Sequence, residues 1–185
     1  MLKTIFALFV ALCLGLVACG GGDDQESMPF RNAEQVRVAF ATSQRVLPER
    51  GEQVGPYPKE MLDPFVVEYR GMTSAGVPVV LTLRNVYRLV PTSNVSIEGS
   101  LPSQLQSIPA RVDGQDYSAP VLDIREYEGW LILYASLRAI APMDWRVERW
   151  VMYHPETKQF IDCGETGSIR PPSWGPAVSD LCVQR

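Results

Sequence analysis

Three carboxylates lie close together in the second half of the chain: Asp123, Glu126 and Glu128. Two neighbouring carboxyl groups can act as general acid and general base, which is the chemistry of a hydrolase or of a glycan-active enzyme. The three residues flank a predicted turn at Glu128-Gly129, however, where charged side chains are ordinarily solvated. The pattern favours solvated charges, and an enzyme that uses Asp or Glu stays an alternative.

The sequence offers few residues from which a nucleophilic catalytic site could be built. Ser74 stands in the segment Gly71-Met72-Thr73-Ser74-Ala75-Gly76, but a nucleophile elbow needs glycine two residues before the serine, where this chain has Met72. His154 is the single histidine, and it precedes Pro155 in a predicted turn. We therefore expect a hairpin loop at 71–76, a solvated His154 and no catalytic residue.

The sequence contains one pair of candidate cation ligands and lacks the usual cofactor motifs. Asp162 and Glu165 bracket Cys163 and could bind a cation with nearby carbonyls, but the spacing of a calcium loop is missing. The sequence contains neither a phosphate-binding Walker loop nor a dinucleotide fingerprint. We therefore predict no metal and no cofactor. The net charge of -4, from 17 basic and 21 acidic residues, argues against a nucleic-acid partner.

The first 18 residues have the organisation of a signal peptide. Lys3 supplies one positive charge, and an apolar run extends from Ile5 to Leu16 before small residues follow. This run is short for a membrane-spanning helix, which needs about 20 apolar residues. Residues 1–18 are therefore predicted to be an export signal, and a retained transmembrane anchor is the weaker alternative.

The run ends in Leu16-Val17-Ala18-Cys19, which resembles the lipobox of bacterial lipoproteins. The resemblance implies that Cys19 receives a diacylglyceryl group, that the leader is cleaved before it and that its amino group is acylated, for example with palmitate. Several acyl chains together make a stable membrane anchor. Gly20 follows the cysteine, and in Gram-negative members of the family a residue other than Asp at this place implies the outer membrane.

Residues 19–31 contain the lipidated cysteine and a glycine-rich, acidic stretch that is typical of a flexible tether. Residues 32–185 are long enough for one globular domain with its own apolar core. The sequence thus predicts a domain held by lipid on the outer membrane and facing the periplasm.

Two further cysteines, Cys163 and Cys182, lie in the predicted domain. Export would bring them to an oxidising compartment, so we expect a disulfide between them. It would close a loop of about 20 residues and stabilise the domain by roughly 3 kcal/mol. The enclosed loop carries Arg170 and Trp174, which either form a binding surface or cover the edge of the core.

Period-two alternation of apolar and polar residues dominates the domain and predicts a mainly β fold. Tight turns are indicated at Asp113-Gly114, at Glu128-Gly129 and at 154–157. At most one helix is expected, over 33–46 after a cap at Asn32, and a long loop over 48–64. The strands should form an antiparallel meander that closes as a small sandwich or barrel. Their predicted ranges are 65–70, 77–90, 94–101, 108–112, 116–124, 130–137, 145–153 and 158–163.

Aromatic residues concentrate in the last strands, and alternation places Trp150 on the same face as Arg146. Either Trp150 packs beneath another layer, which the pattern favours, or it forms an exposed patch with Arg146 that binds a protein or a glycan.

Three functions fit this sequence. The first is a non-enzymatic envelope lipoprotein whose domain binds another envelope protein or a cell-wall component. The second is a β-barrel carrier that encloses an apolar ligand. The third is the Asp/Glu hydrolase named above. The sequence favours the first, since it combines an anchor with an absence of catalytic motifs.

Overall fold

A computed structural model describes residues 28–55, 66–84, 92–99, 101–112, 115–138, 146–166 and 179–185. Within these ranges the order of elements is a helix, five strands, a helical turn and six further strands. The bounds are α1 Ala33–Thr42, β1 Gln44–Arg45, β2 Glu52–Gln53, β3 Val66–Met72, β4 Pro78–Arg84, β5 Thr92–Ile97, α2 Ser103–Gln106, β6 Ser107–Val112, β7 Gln115–Tyr127, β8 Trp130–Arg138, β9 Arg146–Tyr153, β10 Phe160–Thr166 and β11 Val183–Gln184.

The strands form two sheets. The larger has the order β1-β7-β8-β9-β10-β11, with β6 also paired to β7, and the smaller has the order β2-β3-β4-β5. Each pairing between these strands is antiparallel. The predicted mainly β, antiparallel fold is confirmed, and since the described strands make two sheets, the sandwich is the form found.

The main core lies between the two sheets. Successive side chains of a strand point to opposite faces, so alternate residues of β4 and of β8 meet in this layer. Val79 and Leu81 from β4 pack with Leu131 and Leu133 from β8, and all four are fully buried. The described part of this layer is filled by aliphatic side chains.

A second core lies on the outer face of the larger sheet, where α1 covers it. Val36 and Phe40 of the helix are buried against Ile132, Trp150 and Met152 of β8 and β9. Fully burying one such side chain stabilises the fold by about 1.5–3 kcal/mol. The helix therefore explains why β8 is apolar on both faces, with Leu131 and Leu133 on one and Ile132 on the other, since both faces are covered.

Helix α1 begins at the predicted cap and ends earlier than predicted. The Asn32 side chain accepts a hydrogen bond from the Gln35 backbone N–H at 2.9 Å, which satisfies one donor of the first turn. The helix ends at Thr42 because Gln44 and Arg45 instead pair with Glu126 and Arg125 of β7.

The strand predictions are confirmed in the described ranges, with shifts of a few residues at the ends. Four short elements were not predicted: β1, which replaces the end of the expected helix, β2, which lies in the expected loop, the single turn α2, and β11 near the last described residue. The expected turn at Asp113-Gly114 lies outside the described residues. At the β7–β8 hairpin, Glu128 and Gly129 have φ values of 47° and 83°, and a type I′ turn requires positive φ at both central residues.

Neither described helix is long and apolar enough to cross a membrane.

Candidate functional site

A cluster of buried charges lies on β9 and β10, near the place where β6 packs against β9. Arg149 on β9 shares its face with the buried residues Val147 and Val151. On β10, Asp162 and Glu165 are also buried. The pairing of β9 with β10 shifts register between Asp162 and Glu165, which lets both carboxylates reach Arg149.

The guanidinium of Arg149 is held by these two carboxylates. Its Nη2 donates to both Asp162 oxygens at 2.9 and 3.0 Å, and its Nη1 lies 3.7 Å from Glu165 Oε1. The Arg149 side chain is only 7% exposed. Burying an ion costs several kcal/mol unless partners offset it, so the three side chains depend on one another.

Gly164 makes this arrangement possible. Its φ of 72° is in the left-handed region, and its N–H donates to Asp162 Oδ1 at 3.0 Å. A Cβ on Gly164 would lie 2.2 Å from the carbonyl oxygen of Ser179, so only glycine lets that segment pass so close.

An open cavity of about 470 Å³ reaches this cluster, and we call it the arginine cleft. The exposed Arg185 lies at its rim, 3.4 Å from Asp162 Oδ2, while the buried Arg149 lies at its floor. Its lining residues are Pro109 and Ala110 of β6, Asp116, Tyr117 and Ser118 of β7, Arg149, Asp162 and Arg185. This lining offers hydrogen-bond donors and acceptors to one small ligand.

One donor of the buried charge cluster lacks an acceptor. The Nε of Arg149 is buried and meets no hydrogen-bond partner among the described residues. Such a buried, unsatisfied N–H is rare in folded proteins and costs about 1–3 kcal/mol.

The sequence did not single out Arg149 or Arg185. A signal for Arg149 does exist, because it interrupts the apolar face of β9 between Val147 and Val151. Asp162 and Glu165 were considered as cation ligands, but in the structure they neutralise Arg149 instead.

The alternative of an exposed binding patch formed by Trp150 with Arg146 is wrong for Trp150. Trp150 is 3% exposed, and its ring packs edge-on against Phe40 of α1 at 5.0 Å between ring centroids. It lies beneath another layer, as the pattern favoured, and it cannot present a binding surface. Arg146 is half-exposed and forms an ion pair with Glu148 at 2.9 Å. Arg170 and Trp174 lie outside the described residues, as does Cys19.

Tyr134 lies beside Arg146 at the end of this aromatic layer. Its hydroxyl donates to Glu148 Oε1 at 3.0 Å and is contacted by the Arg146 guanidinium. Burial raises the pKa of the Tyr134 phenol, so the group stays protonated and able to donate this hydrogen bond.

The three carboxylates near the β7–β8 turn have separate surroundings. Asp123 lies 3.5 Å from the guanidinium Nε of Arg125, whereas Glu128 is exposed in the turn. Glu126 is buried, and its carboxylate accepts hydrogen bonds from the backbone N–H of Ser74 at 2.6 Å and from the Ser74 hydroxyl. Glu126 thus fixes the β3–β4 hairpin loop, which is where the sequence predicted one.

Ser74, Glu126 and His154 together line a small cavity of about 150 Å³, a proximity that the sequence did not reveal. A catalytic triad needs the histidine between the serine and the acid. Here the serine hydroxyl bonds to the acid directly, while His154 Nδ1 accepts the Thr157 N–H at 3.4 Å. The His154 ring also packs edge-on against Trp130 at 5.0 Å. The contact between Ser74 and Glu126 therefore holds the β3–β4 loop against β7 and does not form a catalytic triad.

The predicted disulfide is present. Cys163 of β10 is bonded to Cys182, 19 residues later, and both cysteines are buried. The bond joins the last described segment to the larger sheet.

Comparisons with protein-family models, curated proteins and solved structures found no match.

Proposed function

We propose that this chain is a lipid-anchored envelope lipoprotein whose β domain binds a partner or ligand without catalysing a reaction. The arginine cleft is the observation that carries the binding part of this proposal. It is open, largely polar and reaches an arginine whose position is fixed by Asp162 and Glu165. Fixed polar groups at the floor of a cavity are what a binding site needs to orient a ligand.

The different roles of the cysteines support the anchored location. Cys163 and Cys182 form a disulfide, a bond that persists mainly in exported proteins. Cys19 stands instead at the end of the lipobox. A disulfide in the domain and a lipidation sequence before it both favour an extracytoplasmic protein.

The carrier alternative gains less support. It requires an apolar cavity inside the fold, but the described layer between the sheets is filled by buried aliphatic residues such as Leu81 and Leu133.

Metabolic labelling with an alkyne analogue of palmitate tests the anchor. We expect the wild type to be labelled and recovered with the outer membrane, and the Cys19→Ala variant to be unlabelled. Cys13→Ala is the matched control, because Cys13 lies inside the apolar run and should be removed with the leader. Equal labelling of the wild type and Cys19→Ala would contradict the lipobox interpretation.

A further inference from the structure

A second open cavity, of about 380 Å³, lies on the opposite face of the larger sheet from the arginine cleft, and we call it the indole cavity. The two faces are distinguished on β10, where successive side chains alternate: Ile161 lines the indole cavity and Asp162 lines the cleft. The two cavities share no lining residue. The lining of the indole cavity is Met28, Pro29, Glu128, Trp130, His154, Thr157, Gln159, Ile161 and Gln184.

This lining carries a negative charge. Glu128 is exposed at the β7–β8 turn and forms no ion pair with another described residue. The described lining residues include no arginine or lysine: Lys158 is exposed outside the lining, and Arg185 is directed to Asp162 on the other face. An anionic ligand would therefore meet a carboxylate without a countercharge, whereas a cationic ligand would be attracted to it.

Trp130 supplies an aromatic surface in the same cavity. Its side chain is half-buried and lines the cavity, so part of the indole ring is accessible. The His154 ring packs against it at 5.0 Å between ring centroids and at an angle of 86°. His154 Nδ1 accepts the Thr157 N–H at 3.4 Å, so the imidazole is uncharged in this arrangement and adds no repulsion. Among aromatic side chains, tryptophan attracts a cation most strongly.

An organic ammonium ion matches this lining better than a metal ion does. Among the described residues, no group of three His, Cys, Asp or Glu side chains could hold a metal. The side chains of Thr157, Gln159 and Gln184 can form hydrogen bonds with a hydroxyl group of an organic ligand, while Pro29 and Ile161 offer apolar surface to its methyl groups. The volume lies within the range of about 300–1,000 Å³ that is usual for small-ligand sites.

We infer that the indole cavity binds an organic ammonium ion, with the cation between the Trp130 ring and the Glu128 carboxylate. This is a second site, beyond the binding function proposed for the arginine cleft. A free solute and a phospholipid headgroup both carry such a group. A headgroup is within reach of an anchored chain, since Met28 follows Cys19 by nine residues and an extended chain of that length spans at most about 32 Å.

The test is a titration of the full-length chain in a non-ionic detergent with choline, followed by NMR of the backbone amides and of the tryptophan indole N–H groups. We expect saturable shifts at Trp130 and at the other residues of the cavity, with a Kd in the millimolar range. The control ligand is 3,3-dimethylbutan-1-ol, which has the shape of choline without its charge. It should bind at least about threefold more weakly, since the ring and the carboxylate do not attract it.

Two variants remove the two halves of the cation site. Glu128→Gln keeps the size of the side chain but removes its charge, so choline should bind about threefold more weakly. Trp130→Leu keeps an apolar side chain but removes the aromatic ring, and it should weaken binding by a similar factor. The Glu128 variant remains decisive if Trp130→Leu is poorly folded, because Glu128 is exposed in a turn.

Glu98→Gln is the matched control for the charge. Glu98 is also exposed and also precedes a glycine, and its φ of 42° is close to the 47° of Glu128. It follows β5 in the smaller sheet and does not line the indole cavity. Since exposed charges further apart than a Debye length of about 8–10 Å are largely screened, Glu98→Gln should change the Kd less than about 1.5-fold.

Three results would overturn the inference. These are no saturable shift up to about 50 mM choline, binding of the uncharged alcohol as tightly as choline, or equal weakening by Glu128→Gln and Glu98→Gln. None of them bears on the arginine cleft, which shares no residue with this cavity.

Nanodiscs separate the two sources of the ammonium group. Shifts at Trp130 in phosphatidylcholine relative to phosphatidylglycerol, without soluble choline, would identify the lipid headgroup. Shifts with soluble choline alone would identify a free solute, and either result supports the inference.

Discussion

Arg149 occupies a position on β9 where both neighbours on the same face, Val147 and Val151, are buried and apolar. Desolvating a guanidinium there is costly, and the attraction of Asp162 and Glu165 has to offset that cost. A buried ion pair of this kind contributes little net stability compared with apolar residues, but breaking it leaves an uncompensated charge. The cluster therefore makes sense as a way to hold polar groups in the arginine cleft.

Removing one partner of the cluster should expose this dependence. Asp162→Ala removes both oxygens that accept from Arg149 Nη2, so we expect the free energy of unfolding to fall by about 3 kcal/mol in urea denaturation. Asp180→Ala, at an exposed position, serves as control and should change it by less than about 0.5 kcal/mol. A loss below about 1 kcal/mol for Asp162→Ala would mean that the cluster is effectively solvated.

At the scale of elements, α1 is fastened to the larger sheet at both its side and its end. The Phe40 ring packs on Trp150, and the Arg125 guanidinium lies 4.5 Å from the centre of the same ring. Arg125 also donates to the Phe40 carbonyl oxygen at 2.8 Å, which satisfies an acceptor of the last helical turn. Strand β7 therefore helps to fix where the helix ends.

Truncation of Phe40 tests the packing of the helix. Phe40→Ala should lower the free energy of unfolding by about 3 kcal/mol and shift the fluorescence of Trp150 toward that of a solvated indole. The matched control on the same helix is Val38→Ala, because Val38 is 55% exposed and its loss should cost less than about 0.5 kcal/mol. Similar losses for the two variants would show that α1 is not docked as described.

The sequence predicted elements better than it predicted the site. Alternation gives strands and faces directly, and the mainly β, antiparallel fold follows from them, but the choice between sandwich and barrel does not. Alternation does not show which element covers a face, so neither the burial of Arg149 nor the covering of Trp150 by α1 could be predicted. The single turn α2 is too short to have a period. The contact of Ser74 with Glu126 joins residues 52 positions apart, which no local pattern encodes.

At the scale of the whole molecule, the two ends of the described chain meet. The backbone N–H of Ala33 donates to the Asp180 carbonyl oxygen at 2.7 Å, and that of Cys182 donates to the Arg31 carbonyl oxygen at 2.8 Å. Asn32 and Leu181 form the bridge between them. Since Cys182 is bonded to Cys163 of β10, the disulfide also holds the segment that leads into α1.

Loss of the disulfide should therefore loosen both ends together. The double variant Cys163→Ala/Cys182→Ala is expected to lower the free energy of unfolding by about 3 kcal/mol, the value for a closed loop of this length. In hydrogen exchange, the amides of Ala33 and Cys182 should lose protection, because each bonds across the two ends. Amides in the centre of β8 should lose no more than the global decrease in stability requires. Unchanged protection at Ala33, with loss at Cys182 alone, would show that the N-terminal segment is held by α1 and its packing on the sheet rather than by the disulfide.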